Sequence, residues 1–289
     1  MKKTLIIGTF ILLTFASQFE AFLNNGIGIN SIAMGQAYFN IYDVESAFYN
    51  PALLSKLKKI EFQVVSNKKM DNINEIYFSC AFPSSIIDFG ITYFNSNISY
   101  GITGTSYDKN TDTISKTGKS HSYFTSLLML TLSKKIHERL FIGVNIKNFQ
   151  KDLSIAEASS YALDVGFNLY LIKYFLNLSV KANNLYATEY KWETDTEKPK
   201  QEYLLGIGIN MGAVKINVGS LTDYSDSRLV AGLELNYNDF MFYRLGYDKN
   251  TLSAGFSTKF SYIGIDYSYS HFLEGKELLE NTHRIGFSL

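Results

Sequence analysis

The chain has 289 residues, with 27 Lys plus Arg against 27 Asp plus Glu and no basic run of five or more, which argues against a nucleic-acid partner. Its 21 Tyr and 22 Phe beside only 3 Pro and 1 Cys point to many strands with aromatic faces, and the single thiol, Cys80, excludes a disulfide within the chain. Beyond the first residues no stretch reaches the roughly eighteen apolar residues of a membrane helix, whereas a spanning β-barrel needs only alternation, which averages away in the mean hydropathy of -0.04.

At the start of the chain, Lys2 and Lys3 precede a mostly apolar run from Leu5 to Phe15, with small residues at Ala16, Ser17 and Ala21. A positive start, a short apolar core and a small-residue exit predict a secretory signal over residues 1–21. The run is too short to span a bilayer comfortably. No cysteine stands at its exit, so a lipid anchor is not supported, and the expected destination is the periplasm or the outer membrane.

Residues 22–58 are expected to form an N-terminal plug. The stretch from Asn24 to Leu54 is rich in Gly, Ala, Ser and Asn and has no period of 2 or 3.6. Asp43 can cap a short helical turn through Glu45, Ser46, Ala47 and Phe48, and Pro51 should stop that turn because it disfavours helical geometry at Asn50. Gly35, Ala37 and Tyr38, then Asp43, then Ala47, Tyr49, Asn50, Pro51 and Ala52 resemble the opening "MGGAY…D…A…NPA" of FadL-type and PorV/PorQ-type outer-membrane barrels. The Asn-Pro-Ala step is the most specific part, and the sequence departs from the pattern at Gln36 and Phe48. The resemblance implies a plug or hatch folded into the lumen of a fourteen-stranded barrel, with Gly35, Asp43, Asn50, Pro51 and Ala52 as its gating residues. It also implies a hydrophobic, fatty-acid-like cargo or, on the PorV/PorQ side, partner proteins of a secretion machine.

From residue 59 to 289 the pattern is that of an all-β, up-and-down antiparallel transmembrane barrel. Ile60, Phe62 and Val64 alternate with Glu61 and Gln63, and Ile76, Phe78, Cys80 and Phe82 alternate with Glu75, Tyr77 and Ser79. Ile87 to Tyr93 follows after Pro83, and a polar stretch from Ile98 to Lys119 then interrupts the pattern. Ser122 to Ser133, Leu140 to Ile146, Tyr161 to Leu169, Leu176 to Val180, Tyr203 to Ile209, Val214 to Val218, Leu229 to Leu235 and Met241 to Tyr247 continue it, and Leu252 to Thr258, Tyr262 to Ser270 and Thr282 to Leu289 complete a count of fourteen. The connections near Pro83, Ile136, Lys173, Gly212, Asp239 and Phe260 are short, while the polar segments 98–119, 187–200 and 271–281 are long and fall at the other end. Outer-membrane barrels sort their connections in this way, short turns lying on the periplasmic side.

The charged residues within the strands are Glu75, Asp88, Lys147, Asp164, Lys181, Lys215, Glu234, Arg244, Asp266 and Arg284, all opposite the aliphatic stripe. A Lys or Arg facing lipid at mid-membrane costs about 2 to 4 kcal/mol, so five of them would cost on the order of the whole stability of a domain. They must face the lumen, where Glu234 and Arg244 are expected to pair across their hairpin. Gly26-Ile27-Gly28 and Gly206-Ile207-Gly208 lack the context of a dinucleotide loop, the second being a glycine-lined strand face. His121, His137, His271 and His283 have no metal-ligand spacing, so no metal or cofactor is expected. No nucleophile elbow or Ser/His/Asp arrangement supports an enzyme. The final strand, His283 to Leu289, alternates to the terminus and looks like the signal read by the barrel assembly machinery, with Leu289 in place of the usual aromatic. The remaining partner expected is outer-membrane lipid.

Overall fold

A computed structural model describes residues 26–69, 73–102, 105–108, 113–116, 119–153, 156–192, 196–224, 226–249, 251–261, 263–273 and 282–289. The expected signal over residues 1–21 lies outside the described residues. In chain order the strands are β1 (Glu61–Lys69), β2 (Ile73–Phe82), β3 (Asp88–Ile102), β4 (Thr105–Asp108), β5 (Thr113–Lys116), β6 (Lys119–His137), β7 (Leu140–Asp152), β8 (Glu157–Ile172) and β9 (Leu176–Ala187). They continue as β10 (Tyr190–Lys191), β11 (Thr196–Glu197), β12 (Glu202–Asn210), β13 (Val214–Thr222), β14 (Ser227–Tyr237), β15 (Met241–Asp248), β16 (Thr251–Phe260), β17 (Ile263–Phe272) and β18 (Thr282–Ser288).

Among the described residues, fourteen of these strands close one antiparallel barrel, while β4 with β5 and β10 with β11 form separate two-stranded hairpins. Closure is made by β1 against β18, with Gln63 opposite Ser288 and Ser66 opposite Ile285. No open edge is left, as a strand sheet in lipid requires, because an unpaired backbone group has no water there to bond.

Two expected boundaries change. The polar stretch 98–119 does not simply interrupt the sheet: β3 and β6 stay paired as far as Ile102 opposite Lys119, and a small hairpin of β4 and β5 extends beyond. Outside the bilayer a ladder needs no apolar face, so backbone pairing continues after the hydrophobic alternation ends. At the other end, β6 runs through His137, so most of the link expected over Lys134 to Glu138 is strand.

Side chains alternate as the energy argument demands. Ile76, Phe78, Leu128, Leu130, Ile207 and Leu245 are exposed on the outer wall, whereas their sequence neighbours Tyr77, Met129 and Arg244 are buried.

Inside the barrel runs the chain from Gly26 to Leu57, nearly all of it buried. It contains α1 (Asn30–Ala33), α2 (Ser46–Tyr49) and a 3₁₀ turn over Pro51–Lys56. Ile27, Ile29, Val44, Ala47 and Leu54 pack against the wall residues Tyr77, Phe94, Leu127, Met129 and Phe149. A second cluster joins Ala37 and Phe39 to Leu204, Leu221 and Val230. The wall makes room by omission: a Cβ on Gly206 would lie 2.4 Å from the Phe39 ring, and one on Gly143 would lie 2.4 Å from the Pro51 carbonyl carbon. The glycine-lined face of β12 is therefore the seat of Phe39.

Candidate functional site

The Asn50-Pro51-Ala52 step is anchored to two neighbouring strands. Asn50 is extended at φ -154° and ψ 110°, so α2 ends there, and its side chain caps the 3₁₀ turn by accepting from the Ala52 amide at 3.0 Å. Its Nδ2 donates to the Phe167 carbonyl on β8 at 2.9 Å and to Ser179 Oγ on β9 at 2.6 Å. A Cβ on Gly166 would come within 2.2 Å of the Asn50 side chain. Proline supplies the stop and asparagine supplies the clamp.

Asp43 accepts from the Glu45 and Ser46 amides at 3.0 and 3.2 Å, the expected cap of α2, and from the Tyr38 hydroxyl. Gly35 has φ +58° and lies against the backbone of Gly246 and Tyr247 on β15. A side chain fits there neither in conformation nor in space.

Two members of this segment carry roles that no sequence signal had separated from their surroundings. Glu45 accepts from the amides of Ile29, Asn30 and Ser31 at 2.8, 3.0 and 2.8 Å and from Ser31 Oγ at 2.6 Å. One buried carboxylate thus ties the start of α1 to the start of α2. Lys56 places Nζ 4.5, 4.6 and 4.1 Å from the ring centres of Tyr42, Phe141 and Tyr170, and bonds Asn168 Oδ1. That aromatic cage holds the end of the segment against β7 and β8 near the short turns.

The charges expected in the lumen are on the inner face, and most fall into two groups. Asp164 receives Lys147 at 2.7 Å, Lys181 at 3.1 Å and the Asn184 amide at 2.8 Å. Lys181 also donates to the Phe48 carbonyl at 2.7 Å, and Asn145 joins Asp164 to the Ala47 carbonyl at 3.0 Å each. Across the barrel, Glu234 stands opposite Arg244 and bonds it at 2.7 Å, as expected, and also receives Lys215 at 2.9 Å. Arg244 reaches the interior segment through Asn30 Oδ1 at 2.9 Å.

The other four lie elsewhere on the inner face. Glu75 accepts from Asn67 at 2.7 Å, and Asp88 lies at the turn end, where it accepts from the Ser84 amide at 2.7 Å. Asp266 and Arg284 are buried on β17 and β18.

Lys151 and Asp248 also face inward. Lys151 pairs with Glu197 at 2.9 Å and covers the Tyr190 ring at 4.1 Å, and Asp248 receives Arg228 and Gln36 at 2.7 Å each. Lys151 was legible, because the inward register of Asn145, Lys147 and Phe149 continues to it. The segment 187–200, expected as a polar loop, instead carries the β10–β11 hairpin, which buries Tyr190 to 1% exposure and packs Trp192 partly over the core at the outer end.

The interior spaces found between segment and wall are small. One of about 50 Å³ is lined by Phe48, Tyr49, Lys147, Phe149, Lys181 and Asn184 among others. A second of about 30 Å³ lies between Gln36 and Arg284. Such volumes hold at most a few waters. A wider cleft of about 720 Å³ opens at the outer end among Phe124, Lys151, Glu157, Tyr161 and Glu189. No group of three or more His, Cys, Asp or Glu suited to a metal occurs among the described residues.

Neither a family model nor a curated protein sequence matches the chain. Solved structures do match. The toluene transporter TodX of Pseudomonas putida superposes with a TM-score of 0.64 at 15% identity, covering 91% of this chain and 96% of that one. A TodX deltaS2S3 mutant, described as a monoaromatic hydrocarbon channel, gives 0.65 at 13% identity over 91% and 97% of the two chains. A FadL homologue of Pseudomonas aeruginosa gives 0.55 at 10% identity over 90% and 96%. The fold is that of a FadL-type outer-membrane barrel.

Proposed function

We propose that this chain is an outer-membrane channel through which hydrophobic small molecules, fatty-acid-like in character, move passively down their gradient, with no chemical step. The observation that carries the reading is an inner segment that fills the lumen and is clamped to the wall at Asn50, Pro51 and Ala52. The likeness in fold to proteins described as a toluene transporter and a hydrocarbon channel supports it. In this reading residues 22–58 are the plug, Gly35 and Asp43 shape it, and small shifts around Asn50, Pro51 and Ala52 open an apolar path that a bulky side chain at position 50 would obstruct. Water stays excluded until then.

The test is uptake of a labelled long-chain fatty acid by cells carrying the chain or its Asn50→Tyr variant. Uptake should fall several-fold in the variant while the barrel assembles to the same level. Unchanged uptake sinks the plug as a gate.

One observation favours a second reading, in which the barrel is a non-transporting, PorV/PorQ-like partner of a secretion machine: the spaces found inside are too small for a cargo molecule. It predicts a protein complex that survives gentle extraction. Isolation as a lone barrel counts against it.

A further inference from the structure

At the end of the barrel that carries the short turns, the outward positions form an almost unbroken apolar ring. Leu132 and Ile136 on β6, Ile142 on β7, Phe167 and Leu171 on β8 and Leu235 on β14 all face out there. The one charged side chain in that ring among the described residues is Lys134, exposed on β6 opposite Ile142, with Phe167 next in the same row. It does not lie beyond the apolar belt, because Ile136, two residues further along β6 toward the turn, is itself 52% exposed. A lysine stem can lie along such a surface only if its ammonium reaches the headgroup layer.

Other cations gather at the same place. Lys135 near the end of β6, Arg139 in the turn that follows it and Lys173 in the turn after β8 are exposed. The turns touch: Lys173 donates to Glu138 at 2.7 Å, and the Tyr170 amide donates to the Arg139 carbonyl at 2.8 Å. Glu138 is the one acid of this cluster and is already bound to Lys173, so the net charge is positive. Tyr174 and Phe175 stand exposed beside it, the amphipathic side chains found at a bilayer interface.

We infer that this edge is a binding site for the headgroup of an anionic phospholipid in the periplasmic leaflet, with Lys134 meeting the phosphate from the lipid side, Arg139 closing on it from the turn and Lys135 adding charge at the strand end. The aliphatic ring takes the acyl chains and the cations take the charge. A zwitterionic headgroup carries no net charge for this cluster to neutralise. The inference stands on the barrel and its orientation and is independent of any cargo.

The test is native mass spectrometry of the purified full chain in mild detergent with equal amounts of phosphatidylglycerol and phosphatidylethanolamine. The chain should retain phosphatidylglycerol in preference, and Lys134→Gln should weaken that retention about fivefold, the size expected for one cation near an anionic surface. Lys134→Arg should restore it, and Lys68→Gln at the opposite end should leave it unchanged, with heat-shifted gel migration checking that each barrel is folded. Equal retention of the two lipids overturns the inference, as does unaltered phosphatidylglycerol binding in a folded Lys134→Gln barrel. Recovery of an acidic protein on this edge with no bound phosphatidylglycerol overturns it too.

Discussion

Asn50 does three things with one side chain: it caps the 3₁₀ turn and holds both β8 and β9. Asn50→Ala leaves the buried Ala52 amide unbonded and is expected to cost about 2 to 3 kcal/mol. Asn50→Asp keeps the acceptor but sets a carboxylate oxygen against the Phe167 and Val180 carbonyls in a buried site, so it should cost at least as much as Asn50→Ala. The check is the temperature at which each barrel loses its folded migration on a gel, and equal temperatures for all three would contradict the clamp. Glu234 makes a comparable case, since it sits between Arg244 and Lys215. Glu234→Leu strands a buried guanidinium and should cost about 3 to 5 kcal/mol by the same measurement. Sequence reasoning reached both residues, Asn50 through the proline after it and Glu234 through strand alternation across a short turn. It did not reach the Lys56 cage, because Tyr42, Phe141 and Tyr170 come from three distant stretches and only the closed barrel brings them together. Glu45 was read as one residue of a helical turn, and its clasp on α1 needs the tertiary fold to appear.

At the scale of elements, period-2 alternation located every barrel strand, because the bilayer imposes a lipid face on one side and a packed lumen on the other. Where that constraint ends, so does the signal. The ladder of β3 and β6 past Ile98 and the β10–β11 hairpin lie at the outer end, where the brief alternation of Ile98, Tyr100 and Ile102 meets the polar run Lys119 to Ser122 and the hairpin strands are two residues each, too little to read as strands. The glycines of β12 were legible as a glycine face, but not as a seat for Phe39. Gly206→Leu should expel that ring and destabilise the packed segment by about 1 to 3 kcal/mol while the outer wall stays intact. Faster cleavage within residues 26–57 by an added protease, with a barrel of unchanged size, is the expected result; a protected segment would contradict the seating. The last strand closes the barrel by pairing with both β1 and β17. Removal of 283–289 exposes two edges and should abolish assembly in the membrane, as judged by loss of the heat-shifted form.

The whole molecule is a closed wall around a bonded interior, and its charge follows that plan. Lipid-facing positions are apolar, inward charges are largely grouped around Asp164 and Glu234, and both groups reach the inner segment, through the Phe48 carbonyl and through Asn30. Wall and segment are therefore one cooperative unit, so a path for cargo requires the segment to shift against its own hydrogen bonds. The decisive measurement is flux in liposomes containing only the purified barrel and a preset gradient. The account predicts that a labelled hydrophobic compound crosses faster than in protein-free liposomes, that a polar dye of similar size does not, and that Asn50→Tyr slows the first. Equal passage of the two compounds, or none above the protein-free rate, would contradict a gated hydrophobic channel.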